Sequence, residues 1–245
     1  MNYRAIDYER KGKVMIVRVA APAEVERLSA ELSDIGDKIS ADDEAWVLIL
    51  TGAGERSFFI DPPESQPLFK LSSLAEPIAG LDIPVIAAIP GDAIGQGLEL
   101  VLAADIRIAA ETSRLGIPHI KKGLIPWDGG TQRLSRLVGK AKALEMILTG
   151  ETIAAPEALR VGLLNRIVPP KDVLKVATDL AQEMATLGPL ALKYAKEAIY
   201  QGMDLTLDQG LRLEADLYFL LHTTRDRTEG VRAFQKKKIP QFEGR

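Results

Sequence analysis

Cysteine is absent from this chain of 245 residues, and histidine occurs only twice. Without cysteine, the sequence excludes disulfides, thiolate nucleophiles and zinc sites built on thiolates. Two histidines also argue against a histidine-rich metal site, so we expect no metal. Because thiol-free chains suit a reducing compartment, we predict a cytoplasmic location.

Strong charge and long apolar runs are lacking too. The net charge is only −3, so no basic field favours nucleic acid as a partner. No stretch approaches the roughly 20 uninterrupted apolar residues of a membrane span, and residues 1–7 show no signal-peptide core. We therefore expect neither a nucleic-acid partner nor a membrane partner.

The hydrophobic runs predict an α/β fold. The amphipathic spacing of Glu24–Ile39 predicts a helix between strand-like runs, an alternation typical of parallel strands with crossovers. The predicted strands are Val14–Val19, Trp46–Leu50, Val85–Ile89, Ile106–Ala109 and Leu164–Val168. Three prolines make Ser57–Ser73 an irregular segment. From Pro170 onward the pattern is nearly all helical, with a break at Gly188 and Pro189.

The most informative stretch is residues 84–100. Five apolar residues between Pro84 and Pro90 predict a buried strand. Gly91, Gly95 and Gly97 predict a turn, and the residues that follow predict a helix with Glu99 in its first turn. Since a helix start has unpaired N–H groups and partial positive charge, it can hold a developing oxyanion. Glu99 would place a carboxylate beside it.

These residues resemble the oxyanion-hole turn of the crotonase (enoyl-CoA hydratase/isomerase) family. Further family-like residues follow in order, among them 104–109, 129–134, 148–150 and 162–164. The resemblance implies a spiral of ββα units over residues 1–170, which would hold an acyl-CoA site. It also implies a helical region over residues 171–245 that closes the site and forms homotrimers or homohexamers.

The resemblance assigns roles to single residues. The backbone N–H groups of Ile60 and Gln96 would bind the thioester oxygen, although the proline two residues after Ile60 departs from the family pattern. Glu99 would be the acid/base, the alternative being a residue that only favours the helix dipole. Phe59 would line the acyl pocket, unless its segment is a surface loop. Arg56 and Lys237 would contact CoA phosphates, unless they are solvated surface charges.

Three further residues depart from the family pattern. His119 stands where hydratases have a second glutamate, so it is either a proton-transfer partner or a structural histidine. Trp127 and Asp128 replace small residues and resemble dihydroxynaphthoyl-CoA synthase and ring-cleaving relatives. Asp128 would then be a second carboxylate, or else a cap of the following helix. Trp127 would shape a pocket for a flat or cyclic acyl group.

The sequence therefore predicts hydration or dehydration of a 2-enoyl-CoA, with CoA as part of the substrate and no further cofactor. One alternative within the family is a carbon–carbon lyase, hydrolase or double-bond isomerase acting on a cyclic acyl-CoA. An RNA-binding homologue and an inactive subunit of an oligomer are further alternatives. The net charge argues against an RNA-binding homologue, and Glu99 argues against an inactive subunit.

Overall fold

The computed structural model describes residues 3–20, 24–54, 57–59 and 72–245. Within them, strands and helices alternate through the first two thirds of the chain, and helices fill the last third. The strands are β1 (Ile6–Lys11), β2 (Val14–Val19), β3 (Val47–Gly52), β4 (Ser57–Phe59), β5 (Val85–Ile89), β6 (Asp92–Ile94), β7 (Ile106–Ala110), β8 (Arg114–Gly116), β9 (Thr152–Ala154) and β10 (Arg166–Val168). The α-helices are α1 (Val25–Ser40), α2 (Glu76–Ala79), α3 (Gln96–Val101), α4 (Gly130–Thr149), α5 (Ala155–Arg160), α6 (Val173–Met184), α7 (Pro189–Gly202), α8 (Leu207–His222) and α9 (Arg225–Gln235).

The strands form two sheets. The larger has the order β1-β2-β3-β5-β7-β10 and is parallel except for β1. The smaller has the order β4-β6-β8-β9, in which β9 runs antiparallel. Each of β3, β5 and β7 is followed by a short strand of the smaller sheet and then by helical structure. This repetition is a spiral of ββα units, as predicted.

The central strands are buried on both faces. In β3, Leu48 and Leu50 face the core under α1, whereas Val47 and Ile49 face a second core under α6. This alternation follows from the two-residue period of a strand. A parallel strand covered on both sides needs a continuous apolar run, and for this reason β5 could be predicted with its observed bounds.

The predicted elements are present with small shifts. Val14–Val19 is confirmed as predicted, and α1 begins and ends one residue later than Glu24–Ile39. The last predicted strand, Leu164–Val168, starts only at Arg166, because the backbone N–H of Leu164 donates to the carbonyl of Ala158 at the end of α5. The prediction that residues 57–73 are irregular is wrong at its start, where β4 pairs with β6.

The helical last third is anchored to the larger sheet. Helix α6 packs on that sheet through Val173, Ala177 and Ala181. Helix α7 begins at Pro189, after the predicted break, and its Lys196 forms an ion pair of 2.9 Å with Asp105. The division of the chain at residue 170 stays a prediction.

Helices α7 to α9 carry large apolar side chains on the surface of the single chain. Phe234 is 85% exposed and Phe219 is 67% exposed. Others are Ile199, Met203, Leu207, Leu211, Tyr218, Leu220 and Val231. Among the helices that the structure describes, none is both long and apolar enough to cross a bilayer.

Candidate active site

A short strand separates the predicted buried strand from the predicted helix start. Strand β6 (Asp92–Ile94) stands where the glycines predicted only a turn, so the chain bends at Gly91 before this strand and turns at Gly95 after it. Gly95 has a φ of 65°, a left-handed conformation that favours glycine. Its carbonyl accepts from the N–H groups of Leu98 (3.0 Å) and Glu99 (3.2 Å). Helix α3 therefore begins at Gln96.

Glu99 is fully buried in the first turn of α3. Its Oε1 atom accepts hydrogen bonds of 2.8 Å from the backbone N–H groups of both Asp128 and Gly130. Gly130 must be a glycine here, because a Cβ atom would lie 2.8 Å from Oε1. The turn before α4 thus fixes one carboxylate oxygen of Glu99 and leaves the other to face a different neighbour.

That neighbour is His119. It lies in a short 3-10 helix, Pro118–Lys122, and is only 7% exposed. Its Nε2 atom is 3.7 Å from Oε2 of Glu99. This distance is too long for a direct hydrogen bond but places the two proton-carrying groups side by side. The structure therefore brings together two of the predicted catalytic residues.

The carboxylate of Asp128 points elsewhere. One oxygen accepts from the hydroxyl of Ser73. The other accepts from the backbone N–H groups of Leu74 (2.8 Å) and Ala75 (3.1 Å). The alternative prediction, that Asp128 caps the following helix α4, is wrong. Its carboxylate instead binds the segment that enters α2.

Gln96 is the first residue of α3 and is buried. Its side-chain Nε2 atom donates to the carbonyl of Ser72 (3.1 Å) and to Oδ2 of Asp128 (3.3 Å). This side chain therefore holds the start of the helix against a neighbouring segment. The prediction for Gln96 concerned its backbone N–H alone.

Known proteins are similar to this chain in sequence and in fold. Residues 9–245 match the Enoyl-CoA hydratase/isomerase family. The chain belongs to this family. It is 36% identical to the short-chain-enoyl-CoA hydratase of Clostridium acetobutylicum, with 100% of both chains covered. It is 34% identical to the crotonyl-CoA hydratase of Syntrophomonas wolfei, with 99% of each covered. The crystal structure of an enoyl-CoA hydratase from Bacillus anthracis superposes with a TM-score of 0.91 at 35% identity, covering 99% of this chain and 100% of that one.

Membership of the enoyl-CoA hydratase/isomerase family confirms the predicted crotonase resemblance and the predicted fold class. The remaining predicted site residues are spread along the chain. Trp127 is partly buried beside Asp128, and Lys237 is exposed just beyond α9. Ile60 and Arg56 lie outside the described residues, as does the side chain of Phe59, the last residue of β4.

Sequence reasoning missed the groups that hold Glu99 and Asp128 in this family member. The backbone N–H groups of Asp128 and Gly130 hold Glu99, and Nη1 of Arg133 donates to the carbonyl of Asp128 over 2.9 Å. A signal was present, because a Gly-Gly pair at a helix start supplies N–H groups that suit a carboxylate. Nothing in the sequence pattern identified Glu99 as that carboxylate.

Proposed function

We propose that this protein adds water reversibly to the conjugated C=C bond of a 2-enoyl-CoA thioester. In this reaction the hydroxyl of water bonds to C3, a proton bonds to C2, and the electrons pass through an enolate of the thioester. One observation carries the proposal: Glu99, in the first turn of α3, and His119, in the 3-10 helix Pro118–Lys122, form a buried pair whose nearest side-chain atoms are 3.7 Å apart. Relatives named as enoyl-CoA hydratases over the full chain support it.

Glu99 is the proposed acid/base of the reaction. Its fixed Oε1 oxygen holds the carboxylate in place, and Oε2 is the oxygen that faces His119. Glu99 would take a proton from water as the oxygen adds to C3 and supply a proton to C2. A positioned acid/base typically contributes about 10²- to 10⁴-fold to a rate.

His119 is the better candidate for the partner of Glu99. Its ring lies beside the carboxylate, whereas the carboxylate of Asp128 is turned toward Ser73 and Leu74. We assign His119 the task of orienting the attacking water. This also weakens the case for a ring-cleaving reaction, which depended on Asp128 as a second reacting carboxylate.

The oxyanion would be held by two backbone N–H groups, those of Gln96 and Ile60. The place of Gln96 at the first position of α3 supports its part, because such amides point along the helix axis toward an anion. The part of Ile60 depends on the family resemblance alone. No cofactor is proposed beyond the CoA of the substrate, and the cytoplasmic location stays a prediction.

The proposed substrate is a short-chain enoyl-CoA, since two relatives are named short-chain-enoyl-CoA and crotonyl-CoA hydratases. Because of Trp127, a flat or cyclic acyl group remains the alternative substrate. Arg56 and Lys237 remain proposed contacts of the CoA phosphates. Lysine is a good point-charge ligand for phosphate.

We also propose that the protein is a homo-oligomer, a trimer or a hexamer. The support is the set of apolar side chains that α7 to α9 expose in the single chain, such as Phe219 and Phe234. Large apolar side chains exposed in such number are typical of interaction surfaces. Sedimentation of the purified protein would measure the oligomeric state.

An assay with a panel of straight-chain and cyclic 2-enoyl-CoAs tests the function. The loss of conjugated-thioester absorbance would be followed together with the mass of each product, with Glu99→Gln as the matched inactive control. We expect a gain of one water on a short straight-chain member. Ring opening, or a product of unchanged mass, would replace hydration with the lyase, hydrolase or isomerase alternative.

A further inference from the structure

Every polar atom of Asp128 takes part in a hydrogen bond. Its backbone N–H donates to Oε1 of Glu99 over 2.8 Å. Its backbone carbonyl accepts from Nη1 of Arg133 over 2.9 Å. The side chain is only 5% exposed. The residue therefore cannot move without breaking contacts on several sides.

Its carboxylate receives four donors. They are the hydroxyl of Ser73, the backbone N–H groups of Leu74 (2.8 Å) and Ala75 (3.1 Å), and Nε2 of Gln96 (3.3 Å). The Ser73 hydroxyl oxygen itself accepts from the N–H of Glu76 over 2.9 Å, so its hydrogen is available to Asp128. The two carboxylate oxygens of Asp128 have enough lone pairs to accept from all four donors.

The donors come from separate parts of the chain. Residues 73–75 lead into α2, Gln96 begins α3, and Asp128 itself precedes α4. Glu99 lies one turn after Gln96 on the same helix. Asp128 thus holds α3 at two points, through its carboxylate at Gln96 and through its backbone at Glu99.

We propose that Asp128 is a positioning residue that sets the start of α3, and with it Gln96 and Glu99, against the segment at residues 73–75. It does not exchange protons with the substrate, because its carboxylate oxygens already accept the four protein donors. The inference rests on the proposed hydration for its kinetic consequence, and on the hydrogen bonds alone for its structural consequence.

The Asp128→Asn variant tests this role, because a neutral amide keeps the shape but is a weaker acceptor than a carboxylate and places an NH₂ group at one of the two oxygen positions. We expect faster hydrogen exchange at the amides of Leu74 and Ala75. We also expect a fall in kcat of up to about 10²-fold, the scale of a misplaced catalytic group, with an unchanged pH profile. Ser73→Ala is the milder second variant, which removes one donor from Asp128 and should show the same changes in smaller measure.

Two results would overturn the proposal. Loss of one limb of the pH profile of kcat in Asp128→Asn would make Asp128 an acid or base. Unchanged exchange at Leu74 and Ala75 in both variants would remove the positioning role. Exchange is measured without substrate, so a wild-type protein that fails to hydrate any enoyl-CoA would refute the proposed function and leave this test intact. Should Asp128→Asn fail to fold, Ser73→Ala decides alone by the same exchange and kinetic readouts.

Discussion

The Nε2 atom of His119 lies 3.7 Å from the Oε2 atom of Glu99, while Oε1 of the same glutamate is bound by two backbone N–H groups. The two oxygens of one carboxylate therefore have different surroundings. One fixes the side chain, and the other faces a second proton-carrying group. A buried glutamate is thus held in place through one oxygen while its other oxygen lies beside an imidazole.

The first prediction concerns Glu99→Gln. An amide oxygen can still accept from Asp128 and Gly130, so we expect the thermal unfolding temperature to change little. Because the proton-transfer group is lost, kcat should fall by about 10²- to 10⁴-fold. Steady-state kinetics with the best enoyl-CoA of the panel would measure it. Glu111→Gln, an exposed acid just after β7, is the control, and a Glu99→Gln rate near that of the control would exclude Glu99 as the acid/base.

The second prediction separates the two interpretations of His119. If the imidazole orients water, His119→Ala should lower kcat by roughly 10- to 100-fold, less than the acid/base variant, and His119→Gln should recover part of the loss because it keeps an N–H donor. A purely structural histidine would give the opposite pattern. The thermal unfolding temperature would then fall in both variants, and kcat of the folded fraction would stay unchanged.

The position of Glu99 in the first turn of a helix could be predicted from sequence because the features that mark it are local. The buried run of β5 and the start of α3 lie within 17 consecutive residues, 84–100. The hydrogen-bond partners of Glu99 could not be predicted in the same way. Asp128 and Gly130 are separated from it by 29 and 31 residues, and only the spiral brings them together. No periodicity in the sequence encodes such a contact.

The direction in which a side chain points could not be predicted from the sequence either. The sequence predicted Asp128 as a second catalytic carboxylate or a cap of the following helix, and it could not show that the carboxylate faces residues 73–75. Strand β6 was missed because three residues, one of them Asp92, are too few for a two-residue period to stand out. Whether so short a segment forms a strand depends on the sheet that it joins.

The third prediction concerns Glu31, a buried acid on α1. Its carboxylate accepts from the backbone N–H groups of Arg4, Ala5 and Ile6, at 2.8–3.1 Å. Glu31→Gln would keep one oxygen for these donors but would replace the charged acceptor and place an NH₂ group beside the N–H of Arg4, so we expect the free energy of unfolding to fall by about 1–2 kcal/mol. Denaturant unfolding would measure it. The exposed Asp37→Asn on the same helix should stay within about 0.5 kcal/mol of wild type, and an equal effect in both variants would contradict the role of Glu31.

The fourth prediction is a pH dependence. Partial burial and the neighbouring Asp105 carboxylate raise the pKa of Tyr200 to about 12, from an ordinary value of 10.0. A raised pKa means that the neutral hydroxyl stabilises the fold fully below pH 10, and that this contribution is lost as the pH rises toward 12. Wild type should thus lose more stability across this range than Tyr200→Phe. If the free energy of unfolding changes equally with pH in the two proteins, the pKa of Tyr200 is not raised by its surroundings in the fold; Tyr218→Phe on α8 is the control.

The fifth prediction concerns Lys237, which has a φ of 51° where the chain leaves α9. The N–H of Lys237 donates to the carbonyl of Phe234, and that of Lys238 donates to the carbonyl of Ala233, a helix ending that favours glycine at this position. Lys237→Gly should therefore raise the free energy of unfolding by about 1 kcal/mol, whereas Lys237→Ala should not. If the ammonium group binds a CoA phosphate, both variants should raise KM equally, because both lose the charge. A higher KM in neither variant would leave Lys237 as a solvated residue in a strained position and would remove it from the proposed CoA site.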